Sequence, residues 1–199
     1  MLTAFTASLL LITVSELGDK TFFIAAILAM RHRRRWVFAG AIGALALMTL
    51  ISVLVGQAAK LLPDSIVEWT EVSLFIIFGV RLLCQASQMT ANGSEEKDAA
   101  EAVEKAAQKQ PKKTPLTIMA KTFGLTFVAE WGDRTQIATI ALAATASPLG
   151  VIGGAVLGHA ICAAIATNCG HWLCGKVSER KLTAFGGGLF LLFGVLAMV

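Results

Sequence analysis

Two short polar motifs lie within otherwise apolar sequence and contain the residues best suited to chemistry. Residues 16–21 read ELGDKT and residues 130–135 read EWGDRT, so both copies follow the pattern E-x-G-D-(K/R)-T. Each copy places two carboxylates and one cationic side chain in the middle of a hydrophobic run. A charge in hydrocarbon is costly, so it usually faces a partner or an ion path. Two copies in one chain predict two related halves that build one ion site.

The four acidic side chains of the motifs are the first candidates for metal ligands. On a continuous helix, residues three positions apart share a face, so each Glu would lie beside its Asp. With all four carboxylates ionised and both cations present, the constellation has a formal charge of −2, which fits one divalent cation. The predicted acidic ligands are Glu16, Asp19, Glu130 and Asp133.

Neutral oxygen donors near the motifs extend the predicted ligand set. Carboxylate, hydroxyl, amide and carbonyl oxygens suit Ca²⁺, Mg²⁺ and Mn²⁺, and no cysteine lies within the motifs to supply a thiolate. Gly18 and Gly132 can loosen the helix and free backbone carbonyls as further ligands. The predicted neutral ligands are Thr21, Thr135 and Gln136, with Thr13 and Thr126 as further polar candidates. We assign Lys20 and Arg134 to charge balance or to coupling.

Composition predicts an all-α polytopic membrane protein. The chain has 199 residues, of which 56% are hydrophobic and 15% charged, and its mean hydropathy is +0.71. About 20 apolar residues span a bilayer as a helix, and six runs qualify. The runs are residues 2–30, 36–59, 65–86, 116–146, 148–175 and 181–199. No folded basic domain is present to meet a nucleic acid, and no catalytic motif indicates an enzyme.

Basic residues predict how the chain lies in the membrane. They cluster at residues 31–35, at residues 176–181, and on both sides of the central segment, whereas the alternate loops hold a single basic residue, Lys60. Cytoplasmic loops carry the excess of Lys and Arg, so these clusters lie in the cytoplasm. Both termini are then non-cytoplasmic, in a cell inner membrane or an internal membrane.

The two halves of the chain match one another. An offset of 114 positions carries Glu16 to Glu130 and Gly40 to Gly154, and residues 74–80 match residues 189–195 at an offset of 115. A repeat with three spans must insert in opposite senses, which predicts two inverted three-helix repeats with a shared site at the midplane. We divide the chain into a first repeat (1–89), a charged cytoplasmic linker (90–115) and a second repeat (116–199). Stripes of small residues on the second and fifth spans predict close helix packing.

Three further features receive structural interpretations. The linker has little apolar content, so we expect a solvated, partly helical segment. The cysteines lack a metal or disulfide pattern and are interpreted as buried reduced thiols; they are Cys84, Cys162, Cys169 and Cys174. His159 and His171 are interpreted as core or interfacial residues, with a proton relay as the alternative for His171.

The paired motifs resemble the hallmark of the Gdt family of divalent cation/proton exchangers, which includes bacterial manganese exporters and manganese or calcium transporters of the Golgi and chloroplast. ELGDKT and EWGDRT fit that hallmark without departure, and the resemblance extends over the chain except for residues 90–115. It implies a six-helix exchanger that moves Mn²⁺, and in the broader family Ca²⁺, out of the cytosol against protons. The choice of manganese comes from this resemblance, because spacing and charge indicate only a cation site.

Alternative functions remain open from the residues alone. A Ca²⁺/H⁺ exchanger would use the same oxygen ligands, and a passive cation channel would show no proton coupling. Transported Mn²⁺ or Ca²⁺ and H⁺ are expected as substrates, with no resident cofactor. The expected surroundings are the lipid bilayer, no nucleic acid, and a homo-oligomeric state that the sequence leaves open.

Overall fold

The computed structural model describes residues 1–89, 94–107, 114–173 and 178–198, with the backbone alone at residues 94 and 171–173. These residues form helices throughout, as the composition predicts. The helices are α1 (Leu2–Glu16), α2 (Lys20–Arg31), α3 (Arg34–Ala59), α4 (Asp64–Gln88), α5 (Ser94–Ala107), α6 (Pro115–Glu130), α7 (Arg134–Thr145), α8 (Pro148–Leu173) and α9 (Glu179–Leu196).

The first and fourth apolar runs are each broken at the motif, so the expectation of a Glu and an Asp on one continuous helical face is wrong. In the first motif, α1 ends at Glu16 and α2 begins after Asp19. Gly18 and Gly132 have φ of +77° and +80°, in the left-handed region that other residues rarely adopt. The glycines therefore turn the chain between two half-helices. The helix is not merely loosened at each glycine, as predicted, but fully broken.

Helices of one half pack mainly on helices of the other half. The motif helix α1 packs along α8, and its counterpart α6 packs along α3. The same exchange joins α2 to α8 and α7 to α3, while α4 packs along α9. Each motif is therefore held by the long helix of the opposite half.

The predicted small-residue stripes lie at these contacts. A Cβ on Gly154 of α8 would collide with Ser8 and with the backbone of Phe5 on α1. A Cβ on Gly40 of α3 would lie 2.8 Å from Cβ of Thr122 on α6. Small residues thus allow α8 and α3 to approach the motif helices closely.

The linker helix α5 is docked, which corrects the expectation of a solvated linker. Ala99 and Val103 are fully buried, in a cluster formed largely by α2. The carboxylate of Glu179 accepts hydrogen bonds from the backbone N–H groups of Glu95 and Glu96, at 3.4 and 3.2 Å. One face of α5 therefore packs on the first half while its N-terminus is held by the second.

Two helices of the described chain are long and apolar enough to cross a bilayer, namely Arg34–Ala59 and the Pro148–Gly170 part of α8. The three described cysteines are free, as predicted, but only Cys162 is buried. Cys84 and Cys169 are on the outside of the helix bundle, so the prediction of buried thiols is wrong for them. Cys174 lies outside the described residues.

Candidate cation site

The two motif glutamates occupy equivalent positions in the bundle. Glu16 is the last residue of α1 and Glu130 is the last residue of α6. Their exposed fractions are only 2% and 3%. Because each half-helix ends at its glutamate, the helix break directs a buried carboxylate into the space between the halves.

A threonine of each motif binds the glutamate of the same motif. The Thr21 hydroxyl donates to Glu16 Oε2 at 3.1 Å, and the Thr135 hydroxyl donates to Glu130 Oε2 at 3.3 Å. Each glutamate is therefore held by the threonine of its own motif.

Three carboxylates converge closely enough to hold one cation. One oxygen from each of Glu16, Glu130 and Asp133 lies within 4.8 Å of the others. Asp133 is half-buried and accepts a hydrogen bond at 3.2 Å from the Thr135 hydroxyl. Hard divalent cations take several carboxylate and hydroxyl oxygens as ligands, and these residues supply both.

Asp19, the fourth predicted acidic ligand, is paired with a cation of the other half instead. Arg134 Nη2 donates to Asp19 Oδ1 at 2.5 Å, and the exposed fractions of the two side chains are 19% and 12%. Lys20, the counterpart of Arg134, forms no ion pair within the described part of the chain. The structure thus brings Glu16, Glu130 and Asp133 together, and holds Asp19 beside them in an ion pair.

The other predicted polar ligands differ in their surroundings. The side-chain oxygen of Gln136 accepts a hydrogen bond at 2.6 Å from the Gly132 N–H, so it closes the motif turn, and its role as a ligand stays a prediction. The hydroxyls of Thr13 and Thr126 are buried and find no hydrogen-bond partner among the described residues. Thr126 also lines a narrow cavity that reaches Glu16.

The two histidines are placed to different degrees. His159 is buried, as a core interpretation predicts, and its Nδ1 has no partner among the described residues. The side chain of His171 lies outside the described part of the chain, so its alternative role as a proton relay stays a prediction.

Two cavities reach the motifs, and Arg134 lines both of them. A narrow one, with room for about one water molecule, is lined by Ser15, Asp19, Glu95 and Arg134, among others. A wider one of about 320 Å³ is lined by Asp133, Arg134, Arg81 and Gln85, among others. Asp19 is therefore confined, whereas Asp133 borders the larger space.

Sequence reasoning missed Glu95 and Glu179. Burial raises the pKa of Glu95, Arg134 opposes that rise, and Glu179 and Asp98 reinforce it. The available signal was the spacing of Ala99 and Val103, four residues apart in a charged segment, which marks a narrow apolar face on a helix. Their burial brings Glu95 to the cavity.

Comparison with known proteins agrees with this geometry. The model of a family described as the divalent cation/proton antiporter GDT1 matches residues 4–90 and 118–199. The chain belongs to the GDT1 family. The family is one of membrane transporters that exchange divalent cations for protons. The unmatched residues contain α5, which makes the linker the part of this chain that the family pattern leaves undefined.

Similar GDT1 proteins occur in a cyanobacterium and in plants. A GDT1-like protein of Synechocystis is 56% identical over 201 residues, which cover 99% of this chain and 97% of that protein. The chloroplastic GDT1-like protein 2 of Oryza sativa is 44% identical, and the chloroplastic PAM71-homolog protein of Arabidopsis thaliana is 41% identical. These matches cover 96% and 95% of this chain but only 59% and 57% of the plant proteins. No solved structure matches the chain.

Proposed function

We propose that this GDT1 protein exports Mn²⁺ from the cytosol in exchange for protons, through one site shared by its two motifs. The observation that carries the proposal is the convergence of Glu16, Glu130 and Asp133 within 4.8 Å. Manganese as the substrate follows from the resemblance of the motifs to manganese exporters. The oxygen ligands also suit Ca²⁺, which is the alternative substrate.

The electrostatics of the buried carboxylates support proton exchange. Glu16 Oε1 and Glu130 Oε1 are buried and have no hydrogen-bond partner among the described residues. A buried carboxylate with one oxygen unpartnered is costly in its charged form, so uptake of a cation or a proton stabilises it. Cation and protons then compete for the same oxygens, and cation release on one side favours proton uptake there.

The proposed architecture has six spans in two inverted repeats. In this scheme α1 with α2 forms the first span and α6 with α7 forms the fourth, while α3, α4, α8 and α9 form the others. The exchange of packing partners between the halves supports the scheme, because α1 packs on α8 as α6 packs on α3. Broken helices that place a site between inverted repeats are a recurrent transporter architecture.

The charge distribution gives the proposed direction of transport. The positive-inside rule places Arg81 and the linker in the cytoplasm, with both termini on the opposite side. Because Arg81 lines the wider cavity beside Asp133, that cavity is the proposed cytoplasmic route to the site. The acidic outer side would supply protons, and the cytoplasm would supply the cation.

Transport by the purified protein in sealed vesicles tests this proposal. An imposed pH gradient should drive Mn²⁺ flux, with simultaneous proton movement in the opposite direction, and a protonophore should collapse both. Competition with Ca²⁺ then decides between the two substrates. Mn²⁺ flux that ignores the pH gradient and the protonophore would favour a passive channel and contradict the exchanger.

A further inference from the structure

The cavity beside Asp19 contains a carboxylate from outside both motifs. Glu95, at the start of α5, lines it together with Asp19 and Arg134. Ser15 lines the same cavity, is only 6% exposed, and its hydroxyl has no partner among the described residues. The cavity therefore has unsatisfied polar groups and three ionisable side chains in a space of about one water molecule.

The guanidinium of Arg134 is only partly satisfied in this arrangement. It donates from Nη2 to Asp19, whereas its buried Nε has no acceptor among the described residues. A guanidinium has five N–H donors in a fixed plane and can engage two carboxylates at once. Glu95 is the carboxylate that lines the cavity beside Asp19 and Arg134.

The position of Glu95 is held from both halves of the protein. Glu179 of α9 binds the N–H groups at the start of α5, and Val103 is fully buried near α2. Since Glu95 is anchored through its backbone, its side chain is available for a role other than docking. Because α5 contacts both halves, a change in the relative position of the halves would also alter the contacts of α5.

We propose that Glu95 is a positioning residue that accepts Arg134 when Asp19 turns from its ion pair toward the transported cation. This inference rests on the proposed function. Asp19 can join the ligands of the transported cation only if Arg134 releases it. The buried guanidinium of Arg134 would then lack a partner, which is costly. Glu95 supplies that partner, which makes binding of the transported cation more favourable. The arrangement of the site is thereby coupled to α5.

Equilibrium Mn²⁺ binding to the full-length protein in detergent, with Glu95→Gln, tests the inference. We expect a dissociation constant about tenfold higher than in the wild type, because hydrogen bonds to charged groups are worth that much or more. Glu104→Gln is the matched control, since it is the same chemical change at an exposed position of α5. Its Mn²⁺ affinity should equal that of the wild type.

A second background shows whether Glu95 acts through Arg134. In Arg134→Gln the ion pair with Asp19 is gone, so Mn²⁺ should bind at least as tightly as in the wild type. Adding Glu95→Gln to that variant should then have no effect. An equal loss of affinity in both backgrounds would mean that Glu95 contacts the cation itself, and would overturn the positioning role.

Two further measurements keep the result interpretable. Glu95→Asp retains the negative charge and should recover most of the Mn²⁺ affinity that Glu95→Gln loses. If Arg134→Gln does not fold, this variant still tests whether the charge at position 95 is needed. Val103→Ser should undock α5, so its pattern of limited proteolysis should differ from that of Glu95→Gln. The same pattern in both would assign the effect to docking and overturn the inference. Failure of the wild type to bind Mn²⁺ would instead contradict the proposed function.

Discussion

The two motifs have nearly the same sequence but occupy different surroundings. Glu16 and Glu130 are buried to the same degree, and each binds its own threonine. In contrast, Asp133 joins both glutamates, whereas Asp19 is paired with Arg134. The narrow cavity under α5 reaches Asp19, and the wider cavity reaches Asp133.

Equivalent residues of the two motifs therefore need not have the same contacts in one conformation. An exchanger must present its site to one side and then to the other, and inverted repeats can do so by exchanging their conformations. We expect that in the opposite conformation Asp19 joins the glutamates and Lys20 pairs with Asp133. The asymmetry between the motifs would then describe one step of the cycle.

Loss of either glutamate should have the largest effect, and the effect should be the same for both. Glu16→Gln and Glu130→Gln keep the side-chain shape but remove an anionic ligand and a proton acceptor. We expect Mn²⁺ flux in vesicles to fall to the level of protein-free vesicles for each variant, with an unchanged elution volume in size-exclusion chromatography. Normal flux in either variant would break the equivalence of the two glutamates.

Loss of the aspartates should separate the motifs. Asp133→Asn removes one of the three converging carboxylates, and we expect its Mn²⁺ dissociation constant to rise about tenfold or more. Asp19→Asn removes a ligand but also the ion pair that must break, so its effect on binding should be smaller. Equal losses of affinity, measured by equilibrium binding, would argue against the observed difference between Asp19 and Asp133.

The two cationic side chains should differ in their contribution to stability. Arg134→Gln breaks an ion pair between the halves and leaves Asp19 mostly buried without its partner, at a cost of about 1–3 kcal/mol. Lys20→Gln breaks no ion pair within the described residues. We therefore expect a lower melting temperature for Arg134→Gln in a thermal unfolding scan. An equal decrease for Lys20→Gln would contradict the asymmetry.

The motif turns should show the smallest effects and should again be alike. Gly132 has open space around it, so Gly132→Ala is opposed only by its φ of +80°, at about 1–2 kcal/mol. Gly18→Ala should cost at least a similar amount, because Gly18 has a φ of +77°. Gly124→Ala is the control, because this helical glycine also has open space and an ordinary φ. Thermal unfolding of the three variants checks the comparison. An equal loss of stability in Gly124→Ala would show that the positive φ of the motif glycines is not the cause.

The sequence was sufficient to predict the helical class, and it named three carboxylates that the structure brings together, Glu16, Glu130 and Asp133. Apolar runs, a repeated motif and small-residue stripes are local patterns, and their physical causes act on residues near in sequence. The stripes predict close helix packing but do not name the partner helix. In the structure Gly154 lies against α1 and Gly40 lies against α6.

Only the tertiary structure decided which carboxylates converge and what α5 does. Two near-identical motifs cannot show from sequence that Asp133 joins the glutamates while Asp19 pairs with Arg134, because that choice depends on the relative position of the halves. The charged composition of the linker predicts a solvated segment. Only a weak sequence signal opposes this, namely the two apolar residues Ala99 and Val103, which the structure buries. Their docking, with Glu179 at the helix start, depends on surfaces distant in sequence.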